Sequence, residues 1–154
     1  MSLESAKAYV IRKGYGDRIM EFEVSSATVE LAAQAVGTEP ARIAKSLTFM
    51  VEDHPVMILC AGDVKISNPK YKAFFHKKAK MLSREEVNEL VGHDVGGVCP
   101  FGIRDGVEVY LDESLKRFDI VYPACGSGNS AVKLTIPELE EISGYQEWID
   151  VTQS

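Results

Sequence analysis

Apolar and polar positions along this chain follow two periods, and the switches between them mark its elements. Residues 2–13 set Leu3, Ala6, Tyr9 and Val10 at helical spacing and stop at Gly14. After a turn, residues 18–24 read as a strand with Ile19, Phe22 and Val24 inward. Ser25 and Ser26 supply an N-cap, with Glu30 in capping reach of Ser26 or Thr28, and the helix that follows, residues 29–36, ends at Gly37. Pro40 introduces a strand over residues 41–51. Residues 56–61 are continuously apolar, as in a central strand buried on both faces. A helix opened by Ser67-Asn68-Pro69 runs to His76, a short strand covers 80–82, and the Ser83/Glu86 capping box leads a helix to Val91, stopped by Gly92. Residues 107–111, 118–122 and 131–136 read as strands, Pro137 starts a helix over 138–142, and Trp148 tucks the tail onto the body. Helices mixed with many short strands predict an α+β fold: a mixed, mostly antiparallel sheet flanked by helices.

Residues 41–51 break their own pattern. Period 2 puts Ile43, Leu47, Phe49 and Val51 on one face and Ala44, Ser46, Thr48 and Met50 on the other. Lys45 falls among the large apolar members, where an ammonium is costly unless it is paired or opens onto a cavity. Taken alone, such a lysine reads as one that snorkels to water or guards a sheet edge. Two glycine-rich loops later in the chain, able to close a pocket over it, favour a functional lysine.

The bulk numbers narrow the classes. A chain of 154 residues, 45% hydrophobic and 26% charged, fits one globular domain spanning 1–154 with a core that needs no staples. No apolar run reaches membrane-spanning length and the first residues lack a signal-peptide apolar region, so a cytoplasmic protein with no membrane partner is expected. Cys60, Cys99 and Cys125 make an odd count without CxxC spacing, and His54, His76 and His93 are scattered. No disulfide framework, metal site or cofactor is expected. Net charge is −6, yet residues 65–80 hold six lysines, His76 and no acid, with Tyr71, Phe74 and Phe75 interleaved. That segment suits a local phosphate contact through Lys70, Lys72, Lys77 and Lys78, or else a solvated helix face with its aromatics turned inward.

The loops come next. In Gly96-Gly-Val-Cys-Pro-Phe-Gly102 the glycines permit close backbone approach while Pro100 fixes one dihedral, and exposed N–H groups there can hold an oxyanion. Ala124-Cys-Gly-Ser-Gly-Asn129 is either a turn between strands or a second wall of the same pocket, with Asn129 offering both donor and acceptor.

Taken in order, these pieces resemble the YbaK and prolyl-tRNA-synthetase-associated editing domains over residues 28–143. Ile43-Ala-Lys-Ser-Leu-Thr-Phe49 is similar to the family's lysine strand, Ala61-Gly-Asp-Val-Lys65 to its Gly-Asp strand end, and Gly96 with Pro100 to its Gly-x-x-x-Pro loop. Residues 121–129 fall at its second glycine-containing substrate loop. The resemblance implies a free-standing hydrolase that removes a wrong amino acid from the 3′ end of mischarged tRNA without metal, with a synthetase as a further candidate partner. It implies Lys45, Gly96 and Gly97 as catalytic residues. Asp63, Val98, Cys99, Pro100, Phe101, Gly126, Ser127 and Asn129 would bind substrate. Cys99 stands where many relatives carry Ser or Thr, and the second loop has neither the His-Pro pair of alanine-specific relatives nor the basic pair of cysteine-specific ones. The small residues of the loops point to a small amino acid of the alanine, serine or cysteine class, with Cys99 or Ser127 near its side chain, and the resemblance makes tRNA-Pro a candidate carrier.

Two rival readings remain at the level of sequence. One is a cysteine-dependent hydrolase using Cys99 or Cys125, with His93 six residues before Cys99. The other is a non-catalytic module that binds aminoacyl-tRNA or a synthetase.

Overall fold

A six-stranded sheet organises the molecule, whose computed structural model describes residues 2–154. Its elements in chain order are α1 (Ser2–Arg12), β1 (Ile19–Glu21), α2 (Val29–Val36), β2 (Ile43–Val51), β3 (His54–Ala61), β4 (Lys65–Ile66), α3 (Asn68–Phe75), α4 (Arg84–Glu86), β5 (Glu108–Asp112), β6 (Ile120–Pro123), β7 (Ser130–Val132), β8 (Leu134–Thr135), α5 (Ile136–Ile142), β9 (Tyr145–Ile149) and β10 (Thr152–Gln153). The main sheet runs β8-β6-β2-β3-β5-β9, and the pairs β1-β7 and β10-β4 stand apart. The α+β class holds, with mixed pairing. The β2-β3 hairpin, β6-β8 and the two small pairs are antiparallel, while β2-β6, β3-β5 and β5-β9 are parallel.

Local chemistry accounts for most boundaries. Thr28 caps α2, its hydroxyl accepting from Leu31 N–H, and Gly37 closes the helix at φ 85°. The cap is Thr28 and not Ser25 or Ser26, because Ser26 is held off the helix by its N–H, which donates to Gly128 O at 2.6 Å. The capping boxes of Ser83 with Glu86 and of Thr135 with Glu138 both form. After Glu86 the backbone widens into a π turn over Val87–Val91 before Gly92 stops it.

Three departures from the sequence reading have physical causes. Only Ile19–Glu21 pairs as a strand, so Val24 is 62% exposed and not inward. The predicted strand over 131–136 splits at Lys133: β7 pairs with β1, and β8 pairs with β6. The tail forms two strands that its mixed composition concealed. It is fastened by the buried Asp112 carboxylate, which accepts from Val151 N–H at 2.9 Å and from the Thr152 hydroxyl at 2.7 Å.

The core lies on both faces of β3. Met57, Leu59 and Ala61 join Phe101, Leu111, Leu134 and Leu139 on one side, while Val56 and Ile58 join Phe49, Val51 and Tyr71 on the other. On β2 the large-apolar face is covered at Ile43 by Ala32 and Ala33 of α2, and at Phe49 and Val51 by Tyr71 of α3. Lys45 lies between these two covers and is half-buried.

Candidate active site

The centre of β2 borders a gap in the sheet. On that edge β6 pairs only with Ile43 and Ala44. Further along, residues 80–82 take the same edge: Leu82 N–H donates to Thr48 O at 3.2 Å, and Met50 N–H donates to Lys80 O at 2.8 Å. Strand alternation therefore turns the N–H and C=O of Ser46 toward this edge, between the two segments, where no strand pairs with them. A cleft of about 300 Å³ opens there, walled by Ser26 to Val29, by β2 from Ile43 to Thr48, by Met81, Leu82 and Val87, by Val95, Gly96 and Val98, and by Tyr122, Ala124, Ser130 and Ala131. Lys45 is the one lysine, arginine, histidine or carboxylate in that wall among the described residues. Its ammonium donates to Val64 O, and its register partner on β3 is Cys60.

The two glycine loops meet beside the cleft. A Cβ on Gly97 would run into Ser127 N and stand 2.5 Å from Gly126 C, so only glycine lets the loops touch. The Gly97 N–H is already committed to Asp94 O at 3.0 Å. Gly97 therefore offers no free donor, and its part is to seat one loop on the other. Gly96 and Val98 line the cleft, and their N–H groups meet no acceptor among the described residues. The second loop is internally bonded: Ser127 Oγ lies 2.8 Å from Asn129 Oδ1 and 2.9 Å from Ser130 Oγ. The Asn129 amide donates to Phe22 O at 2.9 Å, which ties that side chain to the β1 end. Behind both loops stands α1, whose Ser2 to Ala6 backbone leaves no room for a Cβ at Gly126 or Gly102.

Cys99, Pro100 and Phe101 do not line the cleft. Cys99 and Phe101 are wholly buried in the main core, with Phe101 stacked on Tyr9 at a centroid distance of 6.1 Å, and Pro100 is buried beside α1. The expectation of Cys99 at the substrate side chain is thus corrected: the bend at Pro100 turns the loop inward, so Cys99 packs against protein. His93 does approach it, with Nε2 3.4 Å from Cys99 Sγ. That nitrogen, however, donates to Phe101 O at 2.7 Å, and Nδ1 accepts from the Ser2 hydroxyl at 2.7 Å. No lone pair is left to take a thiol proton, and burial pushes the Cys99 thiol above its ordinary range. Burial likewise pushes Cys125 and Cys60 up to about 12.

Asp63 stands apart from the cleft wall. Both of its carboxylate oxygens take bonds from Arg117 at 2.6 and 3.0 Å, and that guanidinium holds the carboxyl below its usual range. Of the basic segment, Lys70 donates to Asp150 Oδ1 at 3.0 Å and to Thr152 O at 2.9 Å, and Lys77 lies 4.0 Å from Glu52. Lys72 and Lys78 border a separate hollow with Asn68, Pro69 and Ala79. Tyr71, Phe74 and Phe75 do turn inward, as a solvated basic face requires.

Sequence reasoning missed the walls from Ser26 to Val29, at Met81, Leu82 and Val87, and at Tyr122, Ser130 and Ala131. Ser26 read as a helix cap, and nothing local marked it otherwise. Ser46 carried one usable signal, a small polar residue directly after the pattern-breaking lysine.

Comparison with known proteins matches this architecture. The family model for the aminoacyl-tRNA editing domain covers residues 23–142. The chain is 53% identical to YwhH of Bacillus subtilis (strain 168), an uncharacterized protein, over 98% of this chain and 97% of that one. It is 30% identical over 130 residues to the proline–tRNA ligase of Geobacillus sp. (strain WCH70), covering 78% of this chain but only 23% of the ligase. A crystal structure described as a candidate trans-editing enzyme for prolyl tRNA synthetase superposes with a TM-score of 0.89 at 30% identity, over 99% of this chain and 98% of that one. No helix among the described residues is long and apolar enough to cross a membrane. With 120 of its residues inside that family model and the lysine strand and both loops around one cleft, the chain belongs to the aminoacyl-tRNA editing domain family.

Proposed function

We propose that this protein is a free-standing aminoacyl-tRNA deacylase that hydrolyses the ester between a small amino acid and a mischarged tRNA. The observation that carries this reading is the cleft at the β2 gap. Its wall includes Lys45, the one charged residue there among the described residues, together with Ser46, Gly96 and Val98, whose N–H groups meet no acceptor among them, and this supports the reading. The similarity to a segment of proline–tRNA ligases supports tRNA-Pro as the carrier, with the acceptor end as partner and a cytoplasmic site of action.

Such an ester needs little from the protein beyond placement and charge stabilisation. It is already activated, so holding the carbonyl against preorganised donors supplies most of what hydrolysis requires. Water adds to the ester carbon, and a hydroxyl of the substrate itself can orient it. The carbonyl oxygen takes up negative charge facing the free N–H groups, and the terminal ribose oxygen leaves with a proton. Lys45 stabilises that developing charge or anchors the terminal phosphate. The cleft wall offers no carboxylate, imidazole or thiol as base or nucleophile among the described residues, which favours this mechanism over a cysteine hydrolase.

The test is a deacylation assay across tRNAs mischarged with small amino acids, using parent protein and Lys45→Ala. Loss of one oxyanion-stabilising group costs about 10²–10³ in rate, so at least that drop is expected. The fold should survive, because Lys45 fills no core position. Equal turnover by both proteins, or none by the parent on any such ester, overturns the reading.

A further inference from the structure

The cation of the cleft is itself held from outside it. The Lys45 ammonium donates to Val64 O, in the turn over residues 62–64 that leaves β3. A lysine carries three rotatable donors on a flexible four-carbon stem, so its ammonium sits where its acceptor is fixed. Several contacts fix this acceptor. Val64 N–H donates to Ala61 O at 3.3 Å, and the Val64 side chain is buried in the main core. A Cβ on Gly62 would run into Pro40 O and stand 2.7 Å from Val29 Cγ1, so the turn lies close against α2 and the approach to β2. Between these two residues, Asp63 takes both of its bonds from Arg117. That arginine is placed in turn: its Nε donates to Ser114 O at 2.9 Å, and its guanidinium lies 4.9 Å from the centre of the Phe118 ring. Ser114 also grips the end of β3, its hydroxyl accepting from Ala61 N–H at 3.0 Å. Neither Asp63 nor Arg117 lines the cleft, and their side chains are 40% and 45% exposed. An ion pair so exposed adds little to stability, and what it sets is the position of the turn.

We propose that Asp63 and Arg117 are positioning residues for Lys45: their two-bonded pair sets the 62–64 turn, and the Val64 carbonyl on that turn sets the ammonium at the cleft. The inference rests on the deacylase reading above only for what the ammonium acts on. Asp63 then works through the residue that follows it and meets no substrate atom itself. One Lys45 donor goes to Val64 O, which leaves the others for a developing oxyanion or a phosphate. A guanidinium fork on a carboxylate fixes direction as well as distance, which an ammonium at position 117 would not do.

The test reads the ammonium first and turnover second. In the full chain carrying carbon-13 lysine, the Lys45 signal is assigned by its loss in Lys45→Arg. A pinned ammonium gives its two ε-methylene protons distinct shifts in the parent. In Asp63→Asn and in Arg117→Gln those shifts are expected to merge, with melting temperatures within about 2 °C of the parent. On mischarged tRNA, kcat/KM is expected to fall about 10- to 100-fold in both variants, through whichever of kcat and KM Lys45→Ala itself alters. Combined with Lys45→Ala, neither substitution should lower it further, because the group they position has gone. Arg117→Lys, which keeps the charge and loses the fork, should behave as Arg117→Gln does. Distinct ε-proton shifts that survive both substitutions overturn the proposal. So do unchanged kcat/KM values beside an active parent, or losses that add in full to that of Lys45→Ala. Merged shifts with no turnover by the parent on any ester support the pin and remove the deacylase reading instead.

Discussion

His93 is held neutral by everything around it. It is wholly buried, one ring nitrogen donates to Phe101 O and the other accepts from Ser2, and burial lowers its pKa from the ordinary 6.5. In the unfolded chain the imidazole takes a proton as pH falls through about 6.5, whereas in the folded protein it resists. Stability should therefore be full above that value and decline as pH falls below it toward the folded pKa, by at most about 1.4 kcal/mol per pH unit for one proton. Thermal unfolding at pH 5, 6 and 7 checks this, with His93→Gln expected to be less stable at pH 7 but flatter across the series. A parent slope no steeper than the variant's would refute it. At this scale the sequence exposed Lys45 because a charge interrupted a two-residue alternation. It did not reveal that Cys99 and Phe101 belong to the core, because seven loop residues with three glycines carry no periodicity to say which side chains turn inward. Ser26 was hidden for a different reason. Its neighbours made it look like a cap, and only its backbone bond to Gly128, more than 100 residues away, shows otherwise.

Among the elements, the two loops behave as one unit because Gly97 has no side chain. Gly97→Ala puts a methyl against Ser127 N and Gly126 C, both backbone, so the loops must part. Overpacking of this kind costs about 1–3 kcal/mol. The expected result is a lowered melting temperature together with loss of deacylation, since Gly96 and Val98 move with the loop. Normal activity at normal stability would show that the loops need not touch. Helices were the most legible elements, because α4 announces itself through the Ser83/Glu86 capping box, α5 through Pro137 and α2 through the stop at Gly37, although the caps of α2 and α5 proved to be Thr28 and Thr135. Strands β9 and β10 were not legible. The run Tyr145-Gln-Glu-Trp-Ile149 has no clean alternation, and its pairing with β5 shifts register between Val109 and Leu111. The gap in β2 was beyond reach from sequence, since it arises where two distant segments each stop short along one edge.

Across the whole molecule, acidic charge predominates and the exposed lysines of residues 70–78 lie on a local basic surface. Lys70 is spoken for by Asp150 and Thr152, whereas Lys72 and Lys78 have no carboxylate within ion-pair distance among the described residues. If this surface meets the tRNA backbone, Lys72→Gln with Lys78→Gln should flatten the salt dependence of tRNA binding by roughly 1.5 in log–log slope. Lys70→Gln should change it little, and hydrolysis of a short aminoacyl-adenosine ester should be spared in both. An unchanged slope in the double variant returns these lysines to a solvated helix face. The interrupted sheet has one more consequence, visible to isotopes rather than to enzymology. In a deuterium-exchange map the amides of Lys45 and Leu47 point at β3 and stay protected, while that of Ser46, midway between them, points into the gap. One fast-exchanging amide in the middle of a slow strand makes a native label. It should slow when the cleft is filled, so occupancy can be followed residue by residue without altering the chain.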